Sequence, residues 1–165
     1  MKIPGQISVE INIFVRPEGS TPGFRDNIRS HFAAHGIASE RIEFEAVRGT
    51  HMPHYNRIDI ALDTFPQTGG TTTCEALWMG VPTITLVGPA FYERLSYSNL
   101  TNAGLPDLCV TDVEAYVQRA IDLATDRERR TELRATMRER IRSHPLGRTD
   151  WYVEDFQNTI QAVIG

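Results

Sequence analysis

Cysteine is scarce in this chain. Only Cys74 and Cys109 occur among its 165 residues. Two thiols build neither a disulfide framework nor a zinc set, and they suit a reducing cytoplasm. Long hydrophobic runs are missing too: no stretch approaches the roughly 20 apolar residues of a membrane-spanning helix, and no signal-peptide pattern opens the chain. Positive charge is not in excess. With 17 Lys and Arg against 21 Asp and Glu, the formal net charge is −4, which argues against a nucleic-acid or anionic-membrane footprint. Internal repeats and low-complexity tracts are absent. What remains is ordinary: 41% hydrophobic and 23% charged residues, the composition of a soluble globular protein. The length predicts one domain, 1–165, with a sizeable core.

Periodicity along the chain alternates between strand and helix. "ISVEINIFV" (7–15) reads as a buried strand, "RIEFEA" (41–46), "DIALDT" (59–64) and "TITLV" (83–87) as further strands, and "LCV" (108–110) as a short fifth. Between them, Thr21 followed by Pro22 marks the start of a helix that Gly36 stops. Helices are predicted over about 72–79, ended by Gly80, and about 91–103, ended by Gly104. Residues 51–58 suit one short helical turn. In the last third, Thr111 with Glu114 and Thr125 with Glu128 have capping-box spacing and predict helices at 112–124 and 126–142. Thr149 is a candidate cap for a final helix to about Val163. The alternation predicts an α/β fold, a doubly wound and mostly parallel Rossmann-like sheet, whose ligands sit at strand carboxyl ends beside helix N-termini.

"DTFPQTGGTTTCEALWMGVP" (63–82) occupies such a place. Gly69 and Gly70 lack a Cβ, so a ligand can approach the backbone. The first N–H groups of the next helix have no intrahelical partner, and the helix dipole adds positive character there. Thr71, Thr72 and Thr73 offer hydroxyls. The stretch is either a seat for phosphate or a plain glycine turn with a threonine cap; it matches neither the P-loop nor the Gly-x-Gly-x-x-Gly pattern. Glu75, one turn on, is either a ribose-binding carboxylate or a surface acid favoured near a helix start. Cys74 reads as a thiol activated by the helix start or as a small core residue. Trp78 is expected in the core, and His31 and His35 on the surface. His51 follows a strand and can donate to phosphate or to a base carbonyl; alternatively it is a solvated loop residue. His51 and His54 have no further soft ligand at metal-binding spacing, so no metal is expected.

The run "RIEF…H…YNRIDIALDTFPQTGGTTTCEALWMGVPTITLVG", followed by "LSYSNLTNAGLPDLCV", resembles the C-terminal catalytic lobe of the SPINDLY and O-linked N-acetylglucosamine transferase family. The resemblance extends from about residue 9 to the end and is densest over 41–110. It implies one lobe of a GT-B fold, commonly found downstream of tetratricopeptide repeats, that holds a UDP-sugar donor without a metal or other cofactor. By that resemblance Gly69, Gly70, Thr71, Thr72, Thr73 and His51 bind the donor diphosphate, Glu75 the ribose, and Ala46 and Arg48 the uracil. Some relatives carry histidine where Gly70 stands, so one side-chain contact of the family is missing here.

The resemblance also implies absent parts: an upstream strand and helix bearing a lysine for the diphosphate, and the N-terminal lobe with the acceptor groove and a further histidine. The implied activity is transfer of a sugar, N-acetylglucosamine from UDP-GlcNAc, to Ser or Thr of a protein acceptor, with this chain inactive by itself and no catalytic residue assigned within it. A nucleotide-sugar epimerase lobe and a non-catalytic interaction domain are the alternatives, because fold alone does not choose among them.

Two helices complete the expectations. In 126–142, Leu133, Met137 and Ile141 recur every four residues, while seven arginines alternate with acids; this predicts one buried stripe and a solvated face, with no nucleic-acid partner. In the final helix, 149–165, Tyr152, Phe156, Ile160 and Val163 share a face widened by Trp151 and Val153. The resemblance makes it a crossover helix against the absent lobe; here it is expected to fold back, to fray, or to pair with a second copy as a homodimer.

Overall fold

A computed structural model of the chain describes residues 11–15, 21–46 and 49–164. The chain divides into two compact units, residues 1–58 and 59–165. The first part of the strand expected at 7–15, and Arg48, lie outside the described residues.

In the first unit, β1 (Ile11–Val15) and β2 (Ile42–Ala46) pair in parallel, with Ile11 opposite Ile42 and Val15 opposite Ala46. The connection contains α1 (Pro22–Ala34). Its start follows from sequence: the Thr21 hydroxyl accepts the Phe24 N–H at 3.3 Å, and Pro22 takes a position where a missing N–H costs nothing. Phe44 of β2 is met edge-on by Phe24, and Arg25 and Arg29 lie over its ring. Glu43 and Glu45 point the other way and are bridged by Arg57. His31 of α1 and His35, just past its end, are exposed as expected.

The second unit holds a three-stranded parallel sheet in the order β3 (Ala61–Leu62), β4 (Thr83–Leu86), β5 (Cys109–Val110). Each crossover carries a helix: α2 (Thr71–Trp78), then α3 (Leu95–Asn102) after a 3₁₀ turn at Phe91–Glu93. Three helices follow: α4 (Val113–Thr125), α5 (Arg127–Ser143) and α6 (Thr149–Ile164). The core joins Leu77, Ile84, Leu100, Leu105 and Leu108 to Leu133 and Met137 of α5, all fully buried. Burying one such side chain contributes about 1.5–3 kcal/mol, so α5 is anchored by its apolar stripe as predicted. The result is the α/β, Rossmann-like alternation read from the sequence.

Several local expectations are corrected. Neither Thr111 nor Thr125 is a cap. Asp112 accepts the Ala115 N–H at 2.7 Å, and Asp126 accepts the Arg129 N–H at 2.8 Å, because a carboxylate is the stronger acceptor one residue further on. Thr125 instead closes α4 by donating to Ile121 O at 3.0 Å. Thr149 is the first helical residue, not a cap. Trp78 is 41% exposed rather than in the core, and Arg138 stacks on it at 5.2 Å. α6 does not fold back: none of its described residues is buried.

The arginines of α5 do more than solvate a face. Arg138 donates to Trp78 O, Arg140 to Gly104 O, and Arg130 to Leu123 O and Ala124 O. Those carbonyls sit at the C-terminal ends of α2, α3 and α4, where cations are favoured by unpaired acceptors and by the helix dipole. One helix therefore caps three others through three of its arginines.

Candidate functional site

The site is built at the carboxyl end of β3. Asp63 continues the ladder beyond the strand, its N–H donating to Ile84 O at 3.0 Å. Its side chain turns inward and is almost fully buried. Oδ1 accepts the Gly69 N–H at 2.8 Å, and Oδ2 accepts the Thr85 hydroxyl at 2.7 Å. Tyr116 of α4 donates its hydroxyl to Asp63 O at 2.8 Å, and burial, aided by the Asp63 charge, pushes that phenol well above the usual range. The loop between β3 and α2 is thus tied at both ends to one buried carboxylate.

α3 fixes the glycines from the other side. Ser96 donates to Gly69 O at 2.7 Å, and Asn99 donates to Gly70 O at 2.9 Å. Because the Ser96 proton is committed to Gly69, the Thr73 hydroxyl is the donor in its 2.7 Å contact with Ser96. Thr68 gives its hydroxyl to Tyr92 O at 3.0 Å. Gly69 is required by packing: a Cβ there would lie 2.6 Å from Thr73 Oγ1 and 2.8 Å from Thr72 Oγ1. Gly70 is different, since a Cβ there meets nothing within 4 Å. The space beside Gly70 is open.

With the loop carbonyls held by α3, α2 presents its N-terminus. Its first closed turn is Cys74 N–H to Gly70 O at 3.3 Å, so the preceding N–H groups have no carbonyl within their own helix. Thr71 and Thr72 are exposed and Glu75 is half-buried, while Thr73 faces the interior. A cleft of about 720 Å³ opens beside this start, lined by Gly70, Thr71, Cys74, Phe91, Arg94, Tyr97 and Asn99 among others. Such a place can hold an anion through backbone N–H groups and hydroxyls. Cys74 is not an activated thiol; burial first, then Glu75, pushes it upward.

The structure thus gathers Gly69, Gly70, Thr71, Thr72, Thr73 and Glu75 in the second unit. Ala46 and His51 belong to the first unit. Ala46 ends β2 with an exposed side chain. His51 directly precedes the 3₁₀ segment Met52–Arg57, is half-buried, and has its ring 6.1 Å from that of Tyr55. His54 lies 3.5 Å from Glu45. Among the described residues, no three His, Cys, Asp or Glu side chains form a metal set.

Sequence reasoning missed Asp63, Ser96 and Asn99. One signal was available for Ser96: it shares the buried face of α3 with Leu100 and Ala103, and a polar residue on such a face needs a partner. For Asp63, its place at a strand end before a double glycine was the cue.

Comparison with known proteins bears on this arrangement. The model of glycosyl transferase family 41 matches residues 21–156. The chain is similar to a protein of Arabidopsis thaliana named "Probable UDP-N-acetylglucosamine--peptide N-acetylglucosaminyltransferase SPINDLY", with 37% identity over 128 residues, covering 73% of this chain and 14% of that protein. It is 28% identical over 137 residues to the "UDP-N-acetylglucosamine--peptide N-acetylglucosaminyltransferase" of Caenorhabditis elegans, covering 82% of this chain and 12% of that one. A solved structure of a mutant O-GlcNAc transferase from Thermobaculum terrenum superimposes with a TM-score of 0.79 at 31% identity, over 90% of this chain and 29% of its own. The chain therefore spans only a small part of the length of these relatives.

Proposed function

The chain belongs to glycosyl transferase family 41, and from that premise we propose that it is the donor-binding part of a glycosyltransferase that moves N-acetylglucosamine from UDP-GlcNAc to Ser or Thr of a protein. The observation that carries the proposal is the start of α2, whose glycine loop is held by Asp63, Ser96 and Asn99 so that the helix N-terminus, with Thr71 and Thr72 exposed on it, is presented beside an open cleft. That is the chemistry a diphosphate requires. Glu75, on the same helix, takes the ribose hydroxyls in this reading. In the first unit, His51 and the Ala46–Arg48 segment keep the diphosphate and uracil roles that the family resemblance implies.

These residues by themselves are proposed to bind donor without turning it over, since the family resemblance assigns the acceptor groove to an N-terminal lobe. α6, with Trp151, Tyr152, Phe156 and Ile160 exposed, is proposed as the surface that meets that lobe or, when the chain is alone, a second copy. Among the described residues no helix is long and apolar enough to cross a membrane, and a cytoplasmic setting is proposed from the two free thiols.

Calorimetric titration with UDP and with inorganic diphosphate tests the reading. Glu75→Ala should weaken UDP and spare diphosphate, because a ribose contact is lost and the helix N-terminus remains. Equal weakening of both ligands, or no binding of either by the wild-type chain, contradicts it.

A further inference from the structure

Arg94 stands at an electrostatically unfavourable place. It is the N-cap residue of α3, where Ser, Thr, Asp or Asn is preferred and where the helix dipole repels a cation. Its side chain makes no capping bond. The cleft beside α2 is lined by the first residues of two helices, Gly70 and Thr71 for α2 and Arg94 and Leu95 for α3, and Arg94 is the only charged residue among its described lining. Three sources of positive potential therefore converge with no carboxylate in the cleft. Glu93, next in the chain, is committed elsewhere: its Oε2 accepts the Ala90 N–H at 2.8 Å.

Arg94 is also held in place. Its guanidinium lies 4.7 Å from the Tyr97 ring centroid, and Nη1 donates to Gly88 O at 3.3 Å. Among the other arginines of this unit, Arg129 is paired with Asp107, Arg142 with Glu139 and Arg148 with Asp150, while Arg130, Arg138 and Arg140 are committed to helix-end carbonyls. Arg94 has no ion pair among the described residues. A stacked guanidinium presents its remaining N–H donors in a fixed fork, the geometry that suits phosphate oxygens.

We infer that Arg94 binds the diphosphate of a nucleoside diphosphate lodged against the start of α2, supplying from within this chain the cation that such a ligand needs. The inference rests on the donor-binding reading above and adds a residue to that site. It explains a cation at a helix start as a stability sacrifice made for a ligand's charge.

The test uses the full chain and three probes: UDP, inorganic diphosphate, and UDP at raised salt. Arg94→Gln should weaken both UDP and diphosphate about tenfold, the effect of losing one charge-assisted contact at an open site, and should flatten the salt dependence of UDP affinity. Arg94→Lys should recover part of the loss. Thermal stability of Arg94→Gln should be unchanged or higher, because a repelled cation has been removed from a helix start. If Arg94→Gln binds UDP within twofold of wild type while Thr71→Val weakens it, the role of Arg94 is overturned and the donor-binding reading stands. A loss of affinity matched by a fall in melting temperature would make Arg94 structural and also overturns the inference. Failure of the wild-type chain to bind either ligand overturns both.

Discussion

Replacing Asp63 with alanine should be among the most damaging single changes in the second unit. The carboxylate is almost fully buried and receives two donors, the Gly69 N–H and the Thr85 hydroxyl, at 2.8 and 2.7 Å. Thr85 is itself fully buried, so its hydroxyl cannot turn to water. A stranded buried donor costs about 1–3 kcal/mol. Relief from burying a charge offsets part of that sum, which leaves an expected loss of about 3 kcal/mol for Asp63→Ala. At about 2–4 °C per kcal/mol for a chain of this size, the melting temperature should fall by roughly 6–12 °C. Asp63→Asn separates hydrogen bonding from charge. Its carbonyl can still accept from Gly69, and the Thr85 hydroxyl can rotate to accept from the new amide, so the loss should stay near 1 kcal/mol or below. Urea denaturation of the three proteins reads these differences directly. If Asp63→Ala lies within 1 kcal/mol of wild type, or if Asn is as costly as Ala, the carboxylate does not organise the loop as argued.

Other perturbations follow from the same geometry. Gly69→Ala should destabilise the chain and weaken UDP, because its Cβ would collide with Thr72 and Thr73, whereas Gly70→Ala should leave the fold intact; equal behaviour in thermal melts would refute the distinction. Burial, against an opposing hydrogen bond from Thr101, pushes the Cys109 thiol up to about 11 from 9.0. The folded state therefore holds that proton longer than the unfolded chain, so the Cys109 contribution is full below pH 9 and is lost as pH rises toward 11; denaturation midpoints measured across that window should fall less in Cys109→Ala. Removing residues 149–165 should abolish any concentration-dependent dimer seen by light scattering, and a full-length chain that stays monomeric at high concentration would exclude pairing through α6.

Much of this was legible in the sequence, for identifiable reasons. The buried stripe of α5 follows from Leu133, Met137 and Ile141 at spacings of four, and the helix stops follow from Gly36, Gly80 and Gly104, which all adopt positive φ. The loop at 69–73 was visible because glycines before threonines signal a helix start at any strand end. What could not be read were contacts between distant segments. Asp63 meets Thr85, and Ser96 meets Gly69 and Thr73, only after β4 and α3 have packed beside β3 and α2. The caps at 112 and 126 were misassigned because Thr and Asp are adjacent at both sites and spacing does not rank two neighbouring acceptors. Trp78 was expected in the core because an aromatic residue at a helix end is ambiguous until Arg138, sixty residues later, covers it.

The most direct test of the central claim is an amide-resolved NMR titration of the intact chain with UDP. Donor binding at the start of α2 predicts saturable shifts centred on Gly69, Gly70, Thr71 and Thr72, extending to Glu75 and to Arg94, with weaker shifts for inorganic diphosphate that spare Glu75. Shifts confined to another surface of the second unit, or none at millimolar UDP, would contradict the assignment of this loop as the diphosphate seat.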